Sequence, residues 1–207
     1  MVTCSGRNGL SWQQAILKRS FDILISLLGL MITWWIILVA FIAASIDLRQ
    51  NGFFTQARIG LHGDIFRVIK IRTMRPVAGF YTTVTTSMDP RITVLGRFFR
   101  RSKIDELPQL INVLIGNMSF VGPRPDVPGF ADLLEGDDRI ILSVRPGITG
   151  PASLQYRNEE QLLRLQDDPE KFNREVIFPE KVRINKDYIL NYSLLRDIKY
   201  IWATLLG

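Results

Sequence analysis

Two adjacent acids, Asp105 and Glu106, follow a group of basic side chains in the middle of the chain. The basic residues are Arg97, Arg100, Arg101 and Lys103. Carboxylates that lie among cations can attack phosphorus or bind Mg²⁺. The chain has one His and one Cys, which argues against a His-based zinc site, a Ser-His-Asp triad and a Cys-rich metal site. The pattern indicates chemistry on phosphate groups that is carried by acids and cations.

The segment after the acid pair has the pattern of a helix with one buried face. Its apolar residues recur at the i, i+3, i+4 and i+7 spacing and are Leu107, Leu110, Ile111 and Leu114. Pro108 suits the first turn, so the helix begins close to Asp105 and Glu106. The helix dipole and the nearby cations are then expected to favour the ionised form of Asp105. The alternative is that the two acids only cap this helix, since acids are common at helix starts.

A long uncharged segment near the N-terminus predicts a membrane element. Residues 23–46 contain no charged side chain, and about 20 apolar residues suffice to cross a bilayer core. The segment is also longer than the core of a secretory signal, which has about 7–15 residues. Basic residues flank it on both sides, and the positive-inside rule places basic flanks on the cytoplasmic side. A re-entrant helix satisfies both flanks, whereas a single straight span, the alternative, satisfies one.

A bend in such a helix would fall near its middle. Gly29, Thr33 and the Trp34-Trp35 pair stand there, and no proline is present to force the break. Non-helical backbone at that depth needs local hydrogen-bond partners, and the Thr33 hydroxyl can supply one. The re-entrant geometry is therefore a hypothesis that depends on how this part of the helix packs.

The remainder of the chain predicts short strands, short helices and loops. We predict strands at 52–59 and 64–72, helices at 94–101, 129–142 and 158–168, and loops at 76–88 and 122–125. The final stretch, 181–206, is amphipathic and is either a core helix or a helix at the membrane surface. No stretch after Asp47 approaches 18 uncharged apolar residues, so we expect the rest to be soluble or interfacial.

These patterns together predict an α+β protein that is membrane-monotopic. We expect a re-entrant membrane helix within residues 1–48 and a cytosolic catalytic domain at 49–207, mostly helical, with a small β-sheet and interfacial amphipathic helices. The formal net charge of +6 suits an anionic lipid surface, a phosphorylated substrate or nucleic acid. The uncharged membrane segment argues against nucleic acid as the partner.

Several motifs resemble those of the bacterial sugar transferases, the small monotopic phosphoglycosyl transferases that begin polyprenol-linked glycan assembly. The matching segments, in the order of the family, are FFTQARIG (53–60), KIRTM (70–74), DPRIT (89–93), DELPQLINVLIGNMSFVGPRP (105–125), RPGITG (145–150) and the terminal YILNYSLLRDIKYIWAT. The segment at 105–125 is long and specific. The resemblance covers the chain from about residue 20 to its C-terminus, and it favours a catalytic role for the acid pair over a cap.

The resemblance implies a reaction and its partners. Members of the family move a sugar phosphate from a UDP-sugar to a polyprenol phosphate such as undecaprenyl phosphate, release UMP, and act at the cytoplasmic face of the bacterial inner membrane. The implied partners are the UDP-sugar, the polyprenol phosphate, membrane lipids and a second copy of the chain, with no nucleic acid. A membrane-anchored interaction protein with a basic lipid-binding face and no catalysis is the competing hypothesis.

The resemblance also assigns roles to residues of this chain. Asp105 would attack the β-phosphate and form a covalent aspartyl-phosphosugar intermediate, Glu106 would assist, and Mg²⁺ would bridge Asp105 and the diphosphate. The cations that match family positions, and that are expected to bind phosphate, are Lys70, Arg100, Arg124 and, less closely, Arg157. Such a set fits phosphoryl transfer, which depends on positioning and charge neutralisation.

The chain departs from the family pattern in two places. A Ser-Pro pair that often breaks the membrane helix is replaced here by Trp34-Trp35. A family Asp near the C-terminus corresponds to Asn185, and an acidic segment at 158–170 is inserted before it. The role of that Asp therefore does not transfer to this chain.

Overall fold

A computed structural model of the protein describes residues 9–75 and 89–206. Within these ranges the chain is mostly helical, with two small two-stranded sheets. The helices are α1 (Trp12–Leu48), α2 (Val94–Arg101), α3 (Gln109–Ile115), α4 (Pro151–Gln155), α5 (Glu159–Arg164), α6 (Pro169–Phe172), α7 (Phe178–Leu190) and α8 (Leu194–Leu206). The strands are β1 (Phe53–Ile59), β2 (Ile65–Ile71), β3 (Ser119–Val121) and β4 (Gly147–Thr149). The predicted mixture of helices and strands is confirmed, and the predicted loop at 76–88 lies outside the described residues.

Helix α1 runs without interruption for 37 residues, which corresponds to about 55 Å at about 1.5 Å per residue. Ser11 and Gln14 cap its N-terminus in a capping box. It is long and apolar enough to cross a membrane. The Thr33 hydroxyl donates to the Gly29 carbonyl at 2.7 Å, so the expected local partner is present within continuous helix. The predicted re-entrant geometry is not confirmed and stays a prediction.

Both halves of α1 pack against the rest of the protein. In the first half, Arg19 donates to the carbonyls of Val113 and Leu114 at the end of α3, at 2.6 and 2.7 Å. In the second half, buried residues cluster with β2 and α2. That cluster contains Ile37, Ala40, Ala44, Ile71 and Phe99. Helix α1 therefore lies along the globular part and does not project from one end of it.

The opposite face of α1 is apolar and exposed. Its large exposed side chains include Leu24, Leu27, Leu28, Met31, Ile32, Trp34, Trp35, Leu38, Val39, Ile42 and Ile46. Soluble monomers rarely expose a contiguous apolar surface of this extent, and such surfaces mark contact with a membrane or a partner. The exposed face supports the prediction that this segment is a membrane element.

Strands β1 and β2, which the sequence predicts as two short strands, form an antiparallel hairpin. The register pairs Phe53 with Ile71 and Ile59 with Ile65. The turn between them is one turn of 3₁₀-helix at Leu61–Gly63, in which His62 takes a left-handed conformation with φ of 59°. His62 therefore belongs to the turn. The hairpin presents the end of β2 to the segment that carries the two acids.

Two predicted helices differ from the structure. Residues 129–142 form short 3₁₀ segments, Ala131–Leu133 and Gly136–Ser143, and not one helix. Gly129, before the first segment, and Gly136, at the start of the second, have φ of 100° and 56°. A continuous right-handed helix does not allow these angles, so the predicted helix cannot run through 129–142. The final amphipathic stretch is broken after Leu190 into α7 and α8.

The break separates two different environments. Helix α7 buries Val182, Tyr188 and Ile189 in the largest core cluster, whereas α8 exposes Leu195, Trp202, Leu205 and Leu206. Each alternative that the sequence left open thus describes one half: α7 is a core helix and α8 has the exposed apolar side chains of an interfacial helix.

Candidate active site

The two acids lie on a single turn of 3₁₀-helix, Ile104–Glu106, between α2 and α3. The preceding residue, Lys103, takes a left-handed conformation with φ of 59°, which turns the chain sharply after α2. Helix α3 begins three residues after Glu106, at Gln109. The prediction that the acid pair stands near the start of a helix is confirmed. The turn buries Asp105, which is 8% exposed.

Glu106 is held by two cations from distant parts of the chain. Its Oε1 atom accepts from Lys70 Nζ at 3.0 Å and from Arg124 Nη2 at 3.2 Å. Burial alone would raise the pKa of Glu106, but the positive charges of Arg124, Lys70 and Lys103 outweigh it and hold the pKa well below its ordinary value. Glu106 is therefore ionised at neutral pH and fixes both cations beside Asp105.

Lys70 reaches this place because α3 is tied to the edge of β2. The Asn112 side chain accepts from the Ile69 amide at 2.9 Å and donates to the Arg67 carbonyl at 2.8 Å. Asn112 is fully buried, and its amide takes the place of a neighbouring strand. Lys70 is the next residue along β2, so this pair of bonds brings its ammonium group to Glu106.

Arg124 is presented by a loop that is fixed on two sides. The loop follows β3, which pairs in parallel with β4, Ser119 with Gly147 and Val121 with Thr149. The Gly147 amide donates to the Pro123 carbonyl at 2.8 Å, and the backbones approach too closely for a Cβ at Gly122 or Gly147. The loop carries a half-exposed Arg124, with 47% of its side chain accessible.

The other side of this loop is bound by β1. Arg58 Nη1 donates to the Pro125 carbonyl at 3.0 Å, and the Ile59 amide donates to the Asp126 carbonyl at 2.9 Å. Burial raises the pKa of Asp126 to about 6, although Lys181 and Arg58 act against this rise. Arg58, Asp126 and Lys181 were not predicted as site residues. Two of them could have been identified from their positions in the sequence, because Arg58 lies in the FFTQARIG segment and Asp126 directly follows the GPRP loop.

Asp105 differs from Glu106 in its surroundings. Burial, followed by the negative charge of Glu106, raises the pKa of Asp105 to about 6, although Lys70, Arg100 and Lys103 act against this rise. The cations act in the expected direction, but burial outweighs them, so the pKa of Asp105 lies above its ordinary value and not below it. Its Oδ1 atom is buried and has no hydrogen-bond partner among the described residues. Asp105 has an acceptor oxygen available for a ligand.

The unpartnered oxygen of Asp105 fits a divalent cation. Among the described residues there is no group of three or more His, Cys, Asp and Glu side chains that could enclose a metal by itself. Mg²⁺ does not need such a group, because it commonly binds through one or two carboxylates, substrate phosphates and water. Asp105 would hold the ion, and the cations fixed by Glu106 would face the same phosphates.

The structure places the two remaining predicted phosphate ligands differently. Arg100, at the end of α2, lies close enough to Asp105 to oppose the rise in its pKa, and it also contacts Met74 Sδ at 3.8 Å. Arg157 donates to the Ala203 carbonyl of α8 at 3.0 Å. Lys70, Arg100 and Arg124 thus surround the acid pair, whereas the contact of Arg157 is with α8. Phosphate binding by these four residues stays a prediction.

Comparison with known proteins places the chain among sugar transferases. The sequence profile of a family described as "Bacterial sugar transferase" matches residues 13–207. "Exopolysaccharide production protein ExoY" of Sinorhizobium fredii is 32% identical over 206 residues, which cover 92% of this chain and 84% of the relative. "UDP-glucose:undecaprenyl-phosphate glucose-1-phosphate transferase" of Escherichia coli is 35% identical over 202 residues, covering 95% of this chain and 41% of the relative.

A third relative carries the name of a different sugar. "Galactosyl transferase CpsE" of Streptococcus agalactiae is 35% identical over 209 residues, covering 94% of this chain and 42% of the relative. The chain thus spans most of the ExoY protein but about two fifths of the other two relatives. The matched region includes the acid pair, the GPRP loop and both short sheets.

Proposed function

This chain belongs to the bacterial sugar transferase family, and we propose that it moves a sugar-1-phosphate from a UDP-sugar to undecaprenyl phosphate or a related polyprenol phosphate, with release of UMP. The name of the Escherichia coli relative, which gives UDP-glucose and undecaprenyl phosphate, supports this class of donor and acceptor. The observation that carries the proposal is the contrast within the acid pair. Glu106 is bonded to both Lys70 and Arg124, while the buried Asp105 has an oxygen with no partner in the described part of the chain.

The first half of the proposed reaction attaches the sugar phosphate to the protein. An Asp105 oxygen attacks the β-phosphorus of the donor, and the bond between this phosphorus and the bridging oxygen breaks. UMP leaves with the bonding electrons, and the sugar phosphate stays on Asp105 as an acyl phosphate. Lys70 and Arg124 lie where they can contact the phosphate oxygens as charge moves to the leaving group.

The second half returns Asp105 to its starting state. A phosphate oxygen of the polyprenol phosphate attacks the same phosphorus, the acyl-phosphate bond breaks, and the carboxylate is regenerated. The lipid product carries the sugar through a diphosphate. Mg²⁺ bound at Asp105 and the diphosphate would neutralise phosphate charge in both halves. Two separate steps let a soluble donor and a membrane-bound acceptor use one site in turn.

We also propose that both ends of α1 lie on the cytoplasmic face. Lys18, in its first half, pairs with Asp197 of α8, and Ala44, in its second half, packs in the cluster with β2 and α2. These contacts are separated by about 39 Å of helix and belong to the same globular part. A straight span would carry one of them across the bilayer.

The single cysteine of the chain, Cys4, offers a test of this topology. A membrane-impermeant thiol reagent applied to intact cells is expected to label Cys4 only after the cells are permeabilised. A cysteine introduced at the exposed Leu165 serves as the control for the cytoplasmic domain and should behave in the same way. Labelling of Cys4 from outside, with the control protected, would establish a full span.

The reaction is tested by trapping the intermediate. Purified protein in lipid nanodiscs is incubated with Mg²⁺ and UDP-glucose or UDP-galactose that carries ³²P at the β-phosphate, without acceptor. We expect a burst of UMP that does not exceed the protein concentration, with the label on Asp105 by peptide mass spectrometry. Adding undecaprenyl phosphate should move the label to lipid.

Substitutions separate catalysis from a purely structural role of the acid pair. Asp105→Asn is expected to abolish labelling, and Glu106→Gln to reduce turnover by about 10²-fold or more, which is the scale for loss of one preorganised electrostatic group. Asp138→Asn, at an exposed acid that pairs with Lys186, is the matched control. Turnover by Asp105→Asn within a few-fold of the unmodified protein, or label on another side chain, would refute the assigned roles and favour a membrane-anchored interaction protein.

A further inference from the structure

Polar side chains lie on three helices, of which α4 begins directly beside the loop that carries Arg124. Ser153 and Tyr156 come from α4 and the residue that follows it, Glu159 begins α5, and Lys181 and Asn185 lie one turn apart on α7. Lys181 Nζ contacts both carboxylate oxygens of Glu159 at 2.7 Å and lies 5.8 Å from the centre of the Tyr156 ring. Helix α4 packs directly on α7. We call these five residues the α4–α7 patch.

Two members of the α4–α7 patch are buried without hydrogen-bond partners. Asn185 is 5% exposed, and its Oδ1 atom has no partner among the described residues. The Ser153 hydroxyl is also buried and unpaired in this part of the chain. Buried polar atoms are nearly always paired in folded proteins, so two unpaired ones on adjoining helices need an explanation. A ligand that brings hydroxyl groups would pair them both.

The α4–α7 patch continues the proposed active site. Gly150, directly before α4, touches the Gly122 carbonyl so closely that a Cβ would not fit, and Gly122 begins the loop of Arg124. The negative charge of Glu159 contributes to the raised pKa values of Arg124 and Asp126. A molecule bound at the acid pair and Arg124 can therefore extend onto the patch without leaving the protein surface.

The backbone before α7 is irregular. A π-helical turn at Asn173–Ile177 leads directly into α7, and such wide turns are rare and frequently occur at functional sites. Lys181 and Asn185 are four residues apart and therefore share one face of α7, and the charge of Lys181 acts on Asp126, directly after the loop of Arg124.

We propose that the α4–α7 patch binds the sugar of the donor and sets which UDP-sugar the protein accepts. Asn185 and Ser153 would pair with sugar hydroxyls, the Glu159–Lys181 pair would bind a further hydroxyl, and Tyr156 would contact the ring face. This inference rests on the proposed function. The names of two relatives differ in the sugar, glucose in one and galactosyl in the other.

Asn185→Ala distinguishes a sugar-binding role of this side chain from a structural role, through kcat/KM and the melting temperature. The Oδ1 atom of Asn185 has no partner among the described residues, so removal of this side chain is expected to keep or raise the melting temperature. Sites that hydrogen-bond a substrate hydroxyl discriminate strongly against donors that present it differently. We expect kcat/KM for the preferred UDP-sugar to fall about 10- to 100-fold. The kcat/KM for its C4 epimer should change less than threefold.

The experiment compares UDP-glucose, UDP-galactose and UDP-N-acetylglucosamine in the UMP-release assay with undecaprenyl phosphate. Asn185→Ala, Ser153→Ala and Lys181→Met are each measured with all three donors. Asn191→Ala and Lys186→Met, at exposed positions at the end and on the outer side of α7, are the matched controls. The patch variants should alter the ratio of kcat/KM values between donors, and the controls should leave it unchanged.

Binding of UDP alone separates the sugar from the nucleoside. Because UDP lacks the sugar, its dissociation constant by calorimetry should change less than threefold in the patch variants. Weaker UDP binding would assign the patch to the nucleoside, and equal losses for all donors together with a lower melting temperature would show a structural role. Either result overturns the inference while leaving the proposed reaction intact, whereas absence of UMP release by the unmodified protein overturns the reaction itself.

Discussion

Two ionic clusters, one buried and one partly exposed, are built from the same kinds of side chain but differ in how completely their carboxylates are paired. The anchor cluster joins α1 to α7, α8 and β3 and consists of Lys18, Asp22, Ser119, Tyr188 and Asp197. The acid-pair cluster joins β2, the turn at Ile104–Glu106 and the loop after β3, and consists of Lys70, Asp105, Glu106 and Arg124. Both combine carboxylates with cations that are distant in sequence.

In the anchor cluster each carboxylate is hydrogen-bonded. Lys18 Nζ lies 2.6 Å from Asp197 Oδ2, and the Tyr188 hydroxyl donates to Asp197 Oδ1 at 2.7 Å. Asp22 Oδ1 accepts from the Ser119 hydroxyl and from the Phe120 amide, both at 3.1 Å. In the acid-pair cluster Asp105 Oδ1 has no partner among the described residues. A closed cluster fixes helices in place, whereas an open one leaves an acceptor for a substrate or ion.

Breaking the anchor cluster is expected to give the largest effect on stability. Lys18→Met leaves Asp197 as a buried charge without its cation, and the removal of one partner of a buried pair costs about 3–5 kcal/mol in the free energy of unfolding. The Tyr188 hydroxyl cannot replace the lost charge. Urea unfolding in detergent, followed by tryptophan fluorescence, measures the change.

The matched double variant sharpens this test. Lys18→Met with Asp197→Leu replaces both charges by apolar groups, and it should recover most of the loss. Lys186→Met, which breaks a solvent-exposed pair with Asp138, should cost no more than about 1 kcal/mol. A loss below about 1 kcal/mol for Lys18→Met would mean that the anchor cluster does not hold α1 in place.

Arg124→Ala is expected to lower activity strongly and to change stability little, unlike Lys18→Met. Its guanidinium is half exposed and bonds to Glu106 from a loop fixed by backbone contacts, so the free energy of unfolding should change by less than about 1 kcal/mol. The rate of UMP release should fall about 10²-fold, because one preorganised cation is lost from the phosphates. Arg124→Lys should recover part of the rate, since lysine supplies the charge but not the bidentate geometry.

The control for Arg124 is another paired arginine outside the site. Arg183→Ala, on the exposed face of α7, removes a bidentate contact with Glu180 and should leave UMP release unchanged. If Arg124→Ala lowered stability by several kcal/mol and left the rate within threefold, the acid-pair cluster would be an anchor like the other one. The proposed difference between the two clusters, one structural and one catalytic, would then be refuted.

Local patterns in the sequence were sufficient for much of the fold. The predicted strands at 52–59 and 64–72 and the predicted basic helix at 94–101 lie close to the observed bounds of β1, β2 and α2. The acid pair was found in the same way, from a proline and an apolar spacing. These features depend on neighbours within one or two turns, which is the range over which sequence patterns act.

The remaining features depend on contacts between distant residues. Lys70 meets Glu106 because Asn112 ties α3 to β2, and no local pattern gives that pair of bonds. The raised pKa of Asp105 follows from burial, and charge counting along the chain gave the opposite direction. The predicted single helix at 181–206 missed the break after Leu190 because both halves are amphipathic.

Asp126, which directly follows the loop of Arg124, allows a smaller test of the surroundings of the acid-pair cluster, through the pH dependence of stability. Burial and Glu159 raise its pKa to about 6, against Lys181, Arg58 and Arg124. The folded state then binds this proton more tightly than the unfolded chain, so Asp126 lowers stability as the pH rises from about 4 through about 6. Asp126→Asn should remove this dependence and gain up to about 3 kcal/mol above pH 6, since the pKa is raised by about two units and one unit is about 1.4 kcal/mol. Asp126→Glu should retain the pH dependence. Urea unfolding of all three proteins at pH 4, 5, 6 and 7 measures it. Equal curves of unfolding free energy against pH would mean that Asp126 is solvated like a surface acid.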